Sequence, residues 1–118
     1  MIDTEYTFAT FNVKGWSGDE HDGGNNGWIN RAPLTIDLIN NTIGADCVGL
    51  QEFDEDANLE FYEDHLSDYE PILGPRIDNG WSNPIFYKRS RFQVESSGII
   101  WLSQNNVPEP DWGANEIR

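Results

Sequence analysis

Two oxygen-bearing side chains stand at the ends of two apolar runs. Asn12 falls near the close of YTFATFNV (Tyr6 to Val13), and Glu52 follows directly on CVGLQ (Cys47 to Gln51). A carboxamide and a carboxylate supply hard oxygen donors, and a hard divalent cation takes few protein ligands of that kind. If both runs are strands, parallel and adjacent, the two side chains face one crevice outside the carboxyl ends of the sheet, where ligands of open α/β folds gather. A plainer reading competes: strand-end acids are common, and Glu52 is then only the first solvated residue after its strand.

Other residues offer chemistry less clearly. GDEHDGG (Gly18 to Gly24) bunches three acids with His21. A calcium or transition-metal site there competes with a solvated acidic loop, and the missing EF-hand spacing and distal glutamate favour the loop, a flap near the crevice. YKRSR (Tyr87 to Arg91) gathers three of the seven basic residues. It reads as a turn exposing its charges rather than a phosphate contact. Of five tryptophans, Trp101 alternates with Ile99 and reads as core, whereas Trp16, Trp28 and Trp81 lie in loops and are candidates for substrate contact.

The elements that must position these groups follow from periodicity. YTFATFNV alternates with aromatic and β-branched content, which predicts a strand buried on both sides. KGWSGDEHDGGNNGW is loop, with five Gly and two Asn. NRAPLTIDLINNTIG predicts a helix capped by Asn30, with Pro33 in its first turn, Ile36, Ile39 and Ile43 on one face, and Gly44 as terminator. CVGLQ is the second strand, and a β–loop–α–β unit favours a parallel pair. A second helix, Asp56 to Leu66, carries Leu59, Tyr62 and Leu66 on one face, with His65 on the exposed side. YEPILG reads as a short strand limited by Pro71, and PRIDNGWSNP as loop. Ile85–Lys88, Phe92–Glu95 and Ile99–Leu102 read as further strands.

A chain of 118 residues has room for one small domain and buries about 65% of its unfolded surface. Hydrophobic residues make up 37%, which separates it from disordered acidic chains. No run approaches the roughly 18 apolar residues of a membrane span. The opening MIDTEYTFATFNV lacks a basic and an apolar leader region, so a cytoplasmic location is expected. Cys47, the one cysteine, reads as a small buried hydrophobe. The loudest signal is charge: 21 acids against seven bases give a net charge of −14, a surface that repels polyanions and argues against duplex nucleic acid as a partner. Scarce lysine and low mean hydropathy favour adaptation to high salt, where the Debye length shrinks to about 3 Å at 1 M, over an ordinary acidic protein.

The ordered set TFNVKGW, NNGWINRAPLTIDLINNTIGADCVGLQEF, NPIFYKRSRFQVESSGIIWLS and PEPDWGANEIR resembles the endonuclease/exonuclease/phosphatase superfamily, the DNase I-like metal-dependent phosphoesterases. The resemblance covers most of the chain. It implies an α/β fold, half of a DNase I-like four-layer sandwich with a mixed sheet and helices on its outer face, residues 1–118 forming an incomplete N-terminal half. It implies hydrolysis of a phosphodiester or phosphomonoester, with Glu52 coordinating Mg²⁺ or Mn²⁺ and Asn12 in the same site orienting ligands or phosphate.

The family's remaining catalytic parts, a His, an Asp–x–Asn pair and an Asp–His pair, lie C-terminal to the matched region, and His21 and His65 do not match them. DNGWSN carries Trp81 and Ser82 where the family's branch has an acid before PIFY. The isolated chain is therefore expected to be inactive. The alternative is a non-catalytic half-domain that pairs with a partner chain or a second copy to cover an apolar inner sheet face, or a decayed remnant.

Overall fold

A computed structural model describes residues 5–15, 27–74 and 81–113. The acidic loop Gly18 to Gly24, with His21, and Trp16 lie outside the described residues.

The element order is β1 (Phe8–Asn12), α1 (Trp28–Asp37), β2 (Cys47–Gln51), β3 (Phe53–Asp54), α2 (Glu55–His65), β4 (Tyr69–Ile72), β5 (Trp81–Ser82) and β6 (Ile85–Lys88). Four strands form a mixed sheet in the order β1-β2-β6-β4. The β1–β2 pair is parallel, with Phe8 opposite Cys47 and Asn12 opposite Gln51. The expected crossover unit is thus formed. The pairs β2–β6 and β4–β6 are antiparallel, and β3 with β5 makes a separate two-stranded ladder. Trp81 and Ser82, read as loop, are strand, because β3 offers them a partner. Pro71 sits in β4, which is an edge strand where a missing N–H is tolerated.

The strand period of two divides the sheet into unlike faces. Val48, Leu50 and Phe86 point one way and are buried with Ala32, Ile36 and Ile39 of the first helical segment and Tyr62 of α2. Register places Phe8, Thr10, Asn12, Cys47, Gly49, Gln51, Ile85 and Tyr87 on the other face. That face is open along β1 and at Ile85, with Phe8 68% exposed and Thr10, Asn12 and Ile85 exposed as well, while Cys47, Gly49 and Gln51 are half-buried and Tyr87 is buried. The expectation that the first strand is buried on both sides therefore fails. β1 is an edge strand, and among the described residues helices pack on one side of its sheet only. Cys47 is half-buried rather than core; burial, with the Asp46 carboxylate beside it, raises its thiol pKa.

Helix α1 begins earlier than its sequence suggests. Gly27 caps it and no side chain does; Asn30 donates its backbone N–H to the Gly27 carbonyl, and so lies inside the first turn rather than at the cap. Trp28 is consequently a buried first-turn residue packed edge-on against Phe61, not a loop tryptophan for substrate. Pro33 falls in the helix interior, where it removes one backbone donor. The helix runs on through a π-helical segment, Leu38–Ile43, and Gly44 ends it at φ 62°, the left-handed stop anticipated for glycine.

Helix α2 is capped by Asp54, whose carboxylate accepts the Ala57 N–H, and carries Glu55 and Asp56 in its first turn, both favourable there. Tyr62 and Leu66 are buried on its inner face, with Leu59 partly so. His65 is exposed and stacks on Phe61.

Residues 92–113 form no strand, against the expectation for Phe92–Glu95 and Ile99–Leu102. The Phe92 N–H turns back to the Lys88 carbonyl. Asn106 Oδ1 accepts the Trp101 N–H and Asp111 Oδ2 that of Gln104. Short polar side chains thus take up backbone donors that sheet pairing would use. Trp101 is half-buried rather than core, and Ile100 is 79% exposed.

The net charge of −14 opposes compaction most strongly at low ionic strength. Thermal melts should therefore show Tm rising as KCl increases to about 1 M, where the Debye length is about 3 Å. A flat or falling Tm would count against adaptation to high salt.

Candidate functional site at the carboxyl ends of the parallel strands

The parallel register sets Asn12 beside Gln51, the residue before Glu52. Both predicted site residues therefore lie at the same carboxyl end of neighbouring strands, as a shared site requires. The backbone at this end is irregular in a specific way. Glu52 has φ 55° and Lys14 has φ 47°, a left-handed conformation that costs an L-residue about 1–2 kcal/mol. Glu52 is the hinge at which the chain leaves β2 in the main sheet and enters β3 in the second ladder. The opening polar residue after the apolar run is thus a bend as well as a carboxylate, and it is half-buried.

On the β1 side, Asn12 Oδ1 accepts the Lys14 N–H at 2.9 Å, a side-chain turn that fixes the carboxamide. One lone pair of that oxygen and the amide NH₂ stay open to a ligand by valence. Val13 donates its N–H to the Gln51 carbonyl at 3.0 Å, carrying the strand pairing one residue beyond β1. Gln51 Nε2 reaches Thr10 Oγ1 at 2.9 Å, so the open face next to the site bears a polar cross-strand pair. Arg31 spans the underlying loop, donating to the Val13 carbonyl at 2.7 Å and the Lys14 carbonyl at 2.9 Å.

The donor set suits a hard divalent cation: one carboxylate and one carboxamide oxygen, no thiolate, no imidazole. It is partial. Among the described residues no group of three or more His, Cys, Asp or Glu gathers to hold a metal, and His65 lies at the end of α2 with Nδ1 at 2.8 Å from the Phe61 carbonyl. Nor do the basic residues of YKRSR form a phosphate patch. Lys88 and Arg91 pair with the buried Asp46 at 3.6 and 3.3 Å, and Arg89 clamps the Ser67 and Tyr69 carbonyls. Arg89 and Arg91 are turn residues as expected and Lys88 closes β6, but the charges of all three are engaged rather than displayed. Sequence reasoning missed Arg31 and Gly15. The signal for Arg31 was available, since only seven basic residues serve an acidic chain.

The described residues form a mixed sheet with helices on one face, and Glu52 closes one strand of its parallel pair. Solved structures agree. The chain superposes on an endonuclease/exonuclease/phosphatase from Bacteroides vulgatus with a TM-score of 0.84 and 26% identity, covering 98% of this chain and 44% of that one. An endonuclease/exonuclease/phosphatase family protein from Bacteroides thetaiotaomicron gives 0.83 and 29%, with coverages of 96% and 42%. A mannosyl-6-phosphatase from the same species gives 0.80 and 26%, with 97% and 43%. No protein-family model and no curated protein matches the sequence. The fold is DNase I-like, and the resemblance to the endonuclease/exonuclease/phosphatase superfamily holds in structure. The chain spans less than half the length of these structures, consistent with an N-terminal half.

Proposed function

We propose that this chain carries the first part of a divalent-cation-dependent phosphoesterase site, with Glu52 as metal ligand and Asn12 as its neighbour in the site. The observation that carries the reading is the parallel register that sets Asn12 opposite Gln51 and brings Glu52 to the same strand ends. One similar structure is a mannosyl-6-phosphatase, which supports a phosphate monoester as substrate, and the family resemblance leaves a diester as the other choice. Glu52, with Asn12 beside it, would hold a Mg²⁺ or Mn²⁺, which would supply Lewis acidity to the phosphate ester. The chain's own residues hold the carboxylate at the strand end and orient ligand or phosphate through the Asn12 carboxamide. Net charge −14 disfavours duplex DNA except at high salt.

The test is hydrolysis of p-nitrophenyl phosphate and its bis-ester with Mg²⁺ by the full gene product, wild type against Glu52→Ala. Activity should fall about 100-fold or more, the scale of losing one group that stabilises transition-state charge. Unchanged turnover in Glu52→Ala would end the proposal. The isolated 118-residue chain should show no sustained turnover, since two oxygen donors hold neither a general base nor the phosphate.

The open sheet face favours a second reading, a half-domain that a partner chain or a second copy completes. Phe8 and Ile85 stand exposed on it, while Phe92 leans on Phe8 and Tyr6. Size-exclusion chromatography of the chain distinguishes them: a dimer supports pairing of copies, and a monomer with cooperative unfolding supports a self-sufficient module.

A further inference from the structure

The strained turn at Glu52 is not self-supporting. Its φ of 55° is one that glycine adopts freely and a residue with a Cβ does not, and such conformations persist where surroundings over-determine them. The surroundings on the described chain are the three residues that follow β1. Val13, buried, bonds the Gln51 carbonyl immediately before the turn. Lys14 takes φ 47° with its N–H held by Asn12. Gly15 then lies flat against Glu52 itself: a Cβ added at Gly15 would come within 2.5 Å of the Glu52 carbonyl oxygen and 3.4 Å of the Asp54 backbone nitrogen. Only a residue without Cβ allows that approach. The segment from Val13 to Gly15 is thus the surface against which the Glu52 turn is formed.

That segment is in turn held by one side chain from another element. Arg31, in the first turn of α1, places Nη1 on the Val13 carbonyl and Nη2 on the Lys14 carbonyl. Two adjacent carbonyls received by one planar fork is a geometry that lysine cannot copy, because an ammonium has no paired, coplanar donors. The helix anchoring Arg31 is itself fixed, with Trp28, Ala32 and Ile36 in the core. A chain of contacts therefore runs from the core through Arg31 and residues 13–15 to the predicted metal ligand.

We infer that Arg31 is a positioning residue for a divalent cation at Glu52 and Asn12, acting through the Val13–Gly15 segment. This rests on the reading of Glu52 as a metal ligand. A coordinating carboxylate must be held to roughly 0.5 Å, and outer-shell partners of metal ligands typically carry 10–100-fold of the affinity. The sign of the effect separates positioning from charge. Arg31 is a cation near a cation site, so by Coulomb repulsion alone its removal would tighten metal binding. By positioning, its removal weakens it.

The experiment is a Mn²⁺ titration of the ¹⁵N-labelled chain at high ionic strength, read by paramagnetic broadening of backbone amides. Salt suppresses diffuse binding to the acidic surface, and the amide spectrum reports folding in the same tube. In wild type, broadening should centre on Asn12 and Glu52 and vanish in Glu52→Gln. Arg31→Met and Gly15→Ala should each weaken Mn²⁺ about 10-fold with folded spectra, and Arg31→Lys should fall between. A merely structural arginine would lower Tm and leave the affinity of the folded chain unchanged. If Glu52→Gln abolishes the site while Arg31→Met binds Mn²⁺ as tightly as wild type or more so, the positioning role is overturned and the Glu52 reading stands. If wild type shows no centred broadening, or Glu52→Gln leaves it intact, the Glu52 reading fails and this inference falls with it. Should Arg31→Met unfold, Arg31→Lys and Gly15→Ala decide: wild-type affinity in both overturns the inference.

Discussion

Phe86→Ala is expected to lower unfolding free energy by about 3–5 kcal/mol, against a total of about 5–15 kcal/mol for a domain. Phe86 is fully buried in β6, a central strand of the four. Its ring lies 5.9 Å from that of Phe53 and 6.1 Å from that of Tyr62, and the latter two meet edge-on at 5.1 Å. This triad joins three elements, β6, β3 and α2, so truncating its centre leaves a cavity that no one segment can close. Collapse of any wall would also disturb the Glu52 turn, one residue before Phe53. Urea denaturation at neutral pH measures the effect. A loss under about 1 kcal/mol would mean that the aromatic layer is not close-packed.

Asp46→Ala should destabilise by roughly 2–4 kcal/mol, because it strips partners from several groups at once. Asp46 is buried immediately before β2. Its carboxylate accepts the Thr7 N–H at 2.8 Å and faces Lys88 and Arg91. It ties the entry to β1, the start of β2 and the turn after β6 together. Lys88 and Arg91 are each about one-quarter exposed, so solvent screens part of their contribution. The Thr7 hydrogen bond, opposed by burial and aided by Arg91 and Lys88, holds the Asp46 pKa below the ordinary 3.8.

The sign of the pH dependence follows. The folded state releases the proton more readily, so Asp46 contributes its full stability above about pH 4 and loses it as pH falls through the lower folded value. Asp111, held down by the Gln104 and Trp112 N–H groups, acts in the same direction. Other carboxylates also titrate in this range, so the comparison is the measurement: Asp46→Asn should flatten the acid limb of the stability curve relative to wild type. Parallel acid limbs in the two proteins would refute the assignment.

Much of the frame was legible in the sequence because it depends on local patterns. Cys47–Gln51 was bounded correctly, and so was Ile85–Lys88, since short apolar runs between turn residues admit few alternatives. Gly44 as helix terminator and Leu59, Tyr62 and Leu66 as the inner face of α2 followed from backbone freedom and helical period. The start of α1 was misread because Asn30 is a good cap by type, whereas packing of Trp28 on Phe61 extends the helix beyond it. The strands assigned to Phe92–Glu95 and Ile99–Leu102 have strand composition but no partner that competes with their own Asn, Ser and Asp side chains.

Local pattern in the sequence was enough for the parallel pair and for the strand end at which Asn12 and Glu52 both lie, because a period of two and a crossover of this length allow little else. Only the folded chain shows that the outer face of β1 stays largely exposed among the described residues, and that Lys88 and Arg91 pair with Asp46. It alone set Glu52 in a left-handed turn against Gly15 under the fork of Arg31. Those are outcomes of contacts between residues 17 to 45 positions apart, and no local propensity encodes which carbonyl a guanidinium will find.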